Sequence, residues 1–373
     1  MNIRSFNSRI TGTTLRRAAL ILMAWVLIIT QTACSGESGN SGAASEPVTG
    51  ENYYLDTICN IAVYEITGES GEPVPAAEAQ EKAQAAIDKA FEKCAALDKL
   101  LSRTVDASEV SKINNAGGEW VEVSDDVIDV ISSGVYYSSL SEGDFDITVG
   151  GVTNLWDFHA DPEDAKVPDA KAIEEAVGHV GYNNIEINGN KLRILDPEAK
   201  IDLGGIAKGF IGDKMTEVLE EEGVTSGIIN LGGNVICIGA KDNSAAEGEG
   251  DFVIGVETPY SDRSEIVGKI NAHDMTLVTS GVYERQIEVD GKVYHHILST
   301  RTGYSVETDL DSVTLTAAKG QSMDIDALST ICLIKGSKKA KELIEAIDGV
   351  EAVFILHDGS MDQTSGMEFE PVD

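Results

Sequence analysis

The stretch Lys200-Ile201-Asp202-Leu203-Gly204-Gly205-Ile206-Ala207-Lys208-Gly209 constrains the fold more than any other part of this 373-residue chain. An apolar lead runs into three glycines and a lysine, and a helical pattern follows from about Phe210 to Glu222. A strand that turns abruptly into a helix aims free backbone N–H groups at whatever lies before that helix, which suits an anion. Glycine lets the backbone come close to a ligand, and Lys208 adds a point charge. No Ser or Thr follows the lysine, so this is not a Walker A loop, and the glycine spacing is not GxGxxG. On these residues alone, a tight turn feeding a surface helix is an equally admissible reading.

Around this junction, strands and helices alternate without a regular βαβ period, which predicts an α+β fold rather than a doubly wound sheet. Leu55 to Tyr64 reads as a strand. Ala76 to Leu101 carries Ala83, Ile87, Ala90, Phe91, Cys94 and Leu97 at helical spacing. Ser124 to Leu140 reads as a helix with Ser124 as N-cap, and Ala170 to Val180 as another. Asn188-Gly189-Asn190 and Asp290-Gly291 mark hairpins, the first within 185–195 and the second joining 286–289 to 293–298. Strands are predicted at 227–231, up to Ile238, and at 350–356, with helices at 323–334 and 338–347.

The N-terminus points to export. Arg4, Arg9, Arg16 and Arg17 precede a short apolar run, Ala18 to Thr30, and small residues then lead to Cys34. That run is shorter than the roughly 20 residues a spanning helix needs, so it reads as a signal segment. Thr32-Ala33-Cys34-Ser35-Gly36 resembles a lipobox, which implies a signal peptide over 1–33 and lipidation at Cys34. Residues 34–50 are rich in Ser, Gly, Glu and Asn and read as a flexible tether, leaving 51–373 as the globular domain. The expected location is the extracytoplasmic face of the cell membrane, held by lipid. Cys59, Cys94, Cys237 and Cys332 sit apart in apolar contexts, so neither a zinc site nor a disulfide framework is suggested.

Charge narrows the partners. The formal net charge is −35, and loss of the four arginines before Cys34 takes the mature chain to about −39. Nucleic acid demands basic surface and is excluded as a partner. A phosphate-bearing ligand would need a local cation, a metal or a helix N-terminus.

Three further segments could carry chemistry. In Asp324-Ile325-Asp326-Ala327-Leu328-Ser329-Thr330, a helix would put Asp326 and Thr330 on one face. A carboxylate and a hydroxyl are hard oxygen donors suited to magnesium, although a helix cap explains the same residues. His295-His296-Ile297 ends a predicted strand, so at most one histidine faces a given site. That histidine could orient or deprotonate a nucleophile, or it could simply be exposed. Gly143-Asp144-Phe145-Asp146 offers an aromatic ring between two carboxylates.

Taken together, the segments resemble the FAD:protein FMN transferase (ApbE) family in order and spacing. Leu55-Asp56-Thr57 is similar to its opening motif, and 108–114 to its SELSRLN-like segment. Gly143 to Asp146 resembles GxFD, Asp202 to Gly209 DLGGIAKG, and Val278 to Arg285 the TSGxYER strand. His295-His296-Ile297 matches HHI, and Asp326 to Thr330 matches DALST. Ser299-Thr300 replaces the usual Asp-Pro, and the tyrosine common before the SELSRLN-like segment is absent.

The resemblance implies a two-lobed α+β fold with the flavin nucleotide between the lobes. It implies Mg2+ on Asp326, Thr330 and the Gly205 carbonyl. FAD contacts would come from Leu55, Asp144, Phe145, Asp146, Asp202, Lys208 and Ile297, with His296 near the transferred phosphate. The implied catalytic residues are His296 and Asp326. The implied reaction moves FMN from FAD to a Thr or Ser hydroxyl of an extracytoplasmic acceptor protein in a membrane electron-transfer chain, releasing AMP. Water as acceptor would make the same site an FAD pyrophosphatase, and a flavin-binding lipoprotein without catalysis is the third reading. Asp362-Gln363-Thr364-Ser365-Gly366 resembles the first half of the acceptor motif, which raises self-modification at Ser365.

Overall fold

The computed structural model describes residues 46–372 except 69, 247 and 262–263. The predicted signal segment, Cys34 and most of the tether lie outside the described residues. No described helix is long and apolar enough to cross a membrane.

The described chain opens with an antiparallel hairpin of β1 (Val48–Tyr54) and β2 (Thr57–Ile66). Leu55 and Asp56 between them both take a φ of 56°, the left-handed turn that matches strand twist. The strand predicted from Leu55 is thus two strands with Leu55 in the turn. Val48 to Gly50, read as tether, belong to β1. That strand is polar and largely exposed, so its composition resembles a linker while its backbone pairs with β2.

The hairpin is one end of an eight-stranded sheet. The order continues from β2 through β6 (Val224–Leu231), β7 (Asn234–Ile238), β10 (Met275–Gly281), β13 (Leu310–Ala318) and β14 (Glu351–Leu356) to β15 (Met361–Gln363). One face is covered by α1 (Ala76–Leu101), α6 (Ala207–Glu221) and α7 (Ser322–Lys335). The other carries β8 (Phe252–Glu257) and β9 (Ile266–Ala272), which β16 (Glu370–Pro371) extends. The period of two shows directly: Val278 and Phe354 join the helical core, while Leu277, Val353 and Ile355 join the core under β8 and β9.

The remaining elements surround the sheet. They are α2 (Glu109–Asn114), β3 (Val121–Glu122), α3 (Asp125–Leu140), α4 (Gly150–Thr153), α5 (Ala170–Val177), β4 (Ile185–Asn188), β5 (Lys191–Ile194), β11 (Gln286–Val289), β12 (Lys292–His295) and α8 (Ser337–Ile344). A smaller apolar cluster of Val152, Trp156, Ile173, Ile287 and Leu298 unites α4, α5 and the β11–β12 hairpin into a minor lobe. The α+β class stands.

Two local expectations are corrected. Helix α6 begins at Ala207, so Lys208 and Gly209 lie inside its first turn rather than before it. Ser124 occupies the N-cap position of α3 but makes no cap, because its hydroxyl and its N–H both donate to Glu109 Oε2 at 2.8 Å. The four described cysteines are free and buried. Cys59 on β2 and Cys94 on α1 nevertheless meet, and their thiols interact.

Helices α6 and α7 are joined at close range. Asp213 on α6 accepts from the N–H groups of Ser322 and Met323 at 3.1 and 3.0 Å, satisfying free donors at the start of α7. A Cβ at Gly209 would stand 2.2 Å from the Ser322 carbonyl oxygen and 2.7 Å from Met323 Cα. Both obstacles are backbone, so neither can swing away. Gly209→Ala is therefore expected to cost about 1–3 kcal/mol or more, the range of overpacked cores, seen as a lower thermal midpoint. An unchanged midpoint would mean that α6 and α7 are not in contact here.

Candidate active site

The centre of the site is the Asp326 carboxylate. Its residue is 2 % exposed on α7, and its Oδ2 accepts the Gly209 N–H at 2.9 Å. Burial pushes the carboxyl above the ordinary carboxylate range, while the Lys208 charge and the Gly209 N–H pull it back. Starting α6 three residues earlier than predicted thus places the first-turn amides against this carboxylate. Thr330, one turn along α7, comes beside Gly205: a Cβ on Gly205 would lie 3.2 Å from Thr330 Oγ1 and 3.0 Å from the Phe145 ring. Gly205 has ordinary backbone angles, so glycine is required there for close approach. Asp326, Thr330 and Gly205 are thereby brought together.

The oxygens gathered here suit a small hard cation. Among the described residues no three His, Cys, Asp or Glu side chains cluster. A cation at Asp326 would take its remaining ligands from neutral oxygens and water, as magnesium does. Asn234, at the start of β7, is fully buried against Asp326, whose carboxylate it helps to stabilise, and its amide oxygen has no hydrogen-bond donor. In the sequence it simply follows Gly232 and Gly233, with no pattern that marks it.

His296 lies close enough to Lys208 to feel its charge. Its Nδ1 stands 3.3 Å from the Arg285 carbonyl, which can only accept, so the neutral ring carries its proton on Nδ1 and leaves a lone pair on Nε2. Burial, Arg285 and Lys208 together push the imidazole down to about 3. His295 turns elsewhere, with Nε2 at 3.2 Å from the Val306 carbonyl. The two histidines therefore serve different surroundings, as strand alternation requires. Ile297 is buried, and its carbonyl accepts from Val306 N–H at 3.0 Å.

The remaining predicted residues divide into two groups. Asp146 is buried and committed to its own loop, accepting from Thr148 N–H and Oγ1 and from Tyr182 N–H at 2.7–2.8 Å. Its carboxylate fixes the segment that presents Phe145 to Gly205. Asp202 accepts from Gly204 N–H at 2.9 Å and pairs with Arg103 at 3.1 Å. Asp144 is shared by Arg301 at 2.9 Å and Lys335 at 3.1 Å. Burial pushes Asp144 up, but the two cations outweigh it and hold the carboxyl below its usual range. Asp144, Tyr294, His295, Arg301 and Ile334 line an open cleft of about 680 Å³. Leu55 holds the hairpin turn, and Asp56 beside it faces Arg285 at 4.0 Å.

Three contributors were not legible as such. Arg103 replaces nothing in a motif, and Lys335 is 191 residues from its partner Asp144. Asn114 sits inside a predicted motif, and the structure gives its task. Its amide accepts from Ile201 N–H and donates to Ile201 O at 2.6 and 2.9 Å, pinning the segment before the glycine loop, which forms only an isolated bridge at Lys200 and not the predicted strand. Ser365 lies at the far sheet edge beyond β15, where its hydroxyl donates to Glu345.

The His296 ring sets a pH signature. A histidine at about 3 when folded and near 6.5 when unfolded binds fewer protons in the folded state between those values. Its contribution to stability is therefore present above pH 6.5 and is lost as pH falls toward 3. In ligand-free protein the His296 ring signals in NMR are expected to stay at neutral positions from pH 8 to pH 4.5. His296→Gln should weaken the acid-side decline in stability. A ring that protonates near pH 6.5 would mean that it faces open water.

The sequence profile of the ApbE family matches residues 55–354. The chain is 30 % identical over 84 % of its length to a FAD:protein FMN transferase of Treponema pallidum, covering 85 % of that protein. It is 29 % identical over 78 % of its length to one from Klebsiella pneumoniae, covering 89 % of it. Among solved structures, the ApbE protein of Thermotoga maritima superposes with a TM-score of 0.74 at 29 % identity, covering 86 % of this chain and 97 % of the other. The flavinyl transferase ApbE of Pseudomonas stutzeri superposes with a TM-score of 0.70 at 25 % identity, with coverages of 86 % and 95 %. On its motifs, its fold and these matches, the chain belongs to the ApbE family.

Proposed function

We propose that this protein transfers FMN from FAD to a threonine or serine hydroxyl of an acceptor protein, releasing AMP, with a divalent cation, best matched by Mg2+, at Asp326. The reading is carried by the buried Asp326 carboxylate beside Lys208, Thr330 and Gly205, in a chain whose relatives bear that activity in their names. A stranded buried carboxylate costs several kcal/mol, and a cation removes that cost. The same cation and Lys208 would offset the pyrophosphate charge in a body of net charge −35.

When bound, the cation would lower the charge on the phosphate oxygens, held by Asp326, Thr330 and the Gly205 carbonyl. The acceptor hydroxyl oxygen forms a bond to the FMN phosphorus, and the bond from that phosphorus to the AMP oxygen breaks. His296 Nε2 is the free acceptor for the hydroxyl proton, since Nδ1 is held by the Arg285 carbonyl. An imidazole near 3 is a weak base; burial is the main cause, and the smaller share owed to Arg285 and Lys208 is what an arriving pyrophosphate would offset. Substrate charge would therefore act on His296 in the upward direction. Phe145, Asp144 and the adjoining cleft have the size and polarity for the remaining parts of FAD. Export, the Cys34 lipid anchor and an acceptor in a membrane electron-transfer chain complete the proposal, supported by the lipobox-like sequence.

The test mixes full-length protein with FAD, Mg2+ and an FMN-binding acceptor domain, and follows acceptor mass and AMP together. An FMN-sized gain with equal AMP is expected, falling by about 10²-fold or more in Asp326→Ala, as when a charge-stabilising group is removed from an active site. AMP without acceptor gain would make the protein a pyrophosphatase, and absence of both would overturn catalysis.

A further inference from the structure

Asn234 is the anomaly of the site. It opens β7 after Gly232 and Gly233, whose φ values of 64° and 106° turn the chain sharply. Its backbone is fixed between β6 and β10, opposite Val278. Its side chain is wholly buried and makes no hydrogen bond of full geometry, with only the Asp326 carboxylate close enough to interact with its amide and the amide oxygen left without a donor. Each unmet buried polar group costs about 1–3 kcal/mol, and an apolar residue of the same shape would avoid that. Its neighbour is the Asp326 carboxylate, which already takes the Gly209 N–H on Oδ2. A carboxylate accepts only, so the amide face turned to it must be the NH2, and the amide oxygen is left as one more hard donor.

We infer that Asn234 is a further member of the cation site: its amide nitrogen sets the orientation of Asp326, and its oxygen serves the cation or a water bound to it. The inference rests on the proposed cation at Asp326. It assigns Asn234 a positioning role and predicts an effect on cation binding in the absence of FAD and acceptor. The unpaired amide oxygen is then an apo-state cost that cation binding relieves. Ser329, by contrast, is satisfied within the protein, donating to the Asp326 carbonyl at 2.8 Å and meeting Ser280 Oγ at 2.8 Å.

Isothermal titration of the full-length protein with Mg2+, without flavin, compares wild type with Asn234→Leu and Asn234→Asp. Asn234→Leu is expected to bind at least tenfold more weakly, with a cation-free thermal midpoint equal to or above the wild type's. Asn234→Asp places a second carboxylate beside Asp326. Its cation-free midpoint should fall, and saturating Mg2+ should raise it by more than it raises the wild type's. This second variant decides the matter if the leucine variant does not fold. Equal Mg2+ affinity in Asn234→Leu, or no extra Mg2+ rescue in Asn234→Asp, overturns the role of Asn234 while leaving the transferase reading intact. Wild type that binds no Mg2+ overturns both.

Discussion

The contact between the two central helices is arranged around one buried carboxylate. Asp326 lies in the contact between α6 and α7, under the central sheet, where water cannot solvate it. Such a group is tolerable only with compensation, and the fold supplies it from several directions. The first turn of α6 contributes an N–H and the positive end of its dipole. Lys208 contributes charge from the same turn. The two helices are held at backbone contact by Gly209 and by Asp213 capping α7, so these groups cannot drift away from the carboxylate. Positioning of this kind is the main contribution a protein makes to phosphoryl-type transfer.

The second organising constraint is the balance of charge around the candidate site. The chain as a whole is acidic, and its cations near the site are used sparingly. Arg103 pairs with Asp202, Arg301 and Lys335 share Asp144, and Arg285 faces Asp56. Each pair lowers the local field. Distant acidic surface matters less, since ions screen it over roughly 8 Å.

Legibility in the sequence followed local periodicity. Helix α1 was readable to its last residue because its apolar positions repeat at helical spacing over seven turns. The hairpin at Asp290-Gly291 and the glycine junction at 204–209 announced themselves through turn chemistry. Strand β13 did not, since both of its faces are buried and no alternation remains to be seen. Nor did β1, whose polar composition imitates a tether. The site residues within motifs were legible as a group, whereas their tasks were not. Asp146 proved committed to Thr148 and Tyr182, and Asn114 to Ile201. Lys335, Arg103 and Asn234 depend on contacts between distant segments, which no local pattern records.

The close approach of Gly209 to α7 is one-sided in what it asks of the two helices. On α6 it forbids any side chain at 209, because a Cβ would collide with main-chain atoms. On α7 the atoms it meets are the Ser322 carbonyl and the Met323 Cα, which every amino acid possesses. Sequence drift at this crossing is thus unequal, with the glycine frozen and its partners free to change within the limits of their own burial. A pair of positions in intimate contact would then leave no trace of covariation. Methods that infer contacts from correlated change would overlook the junction that holds these two helices together.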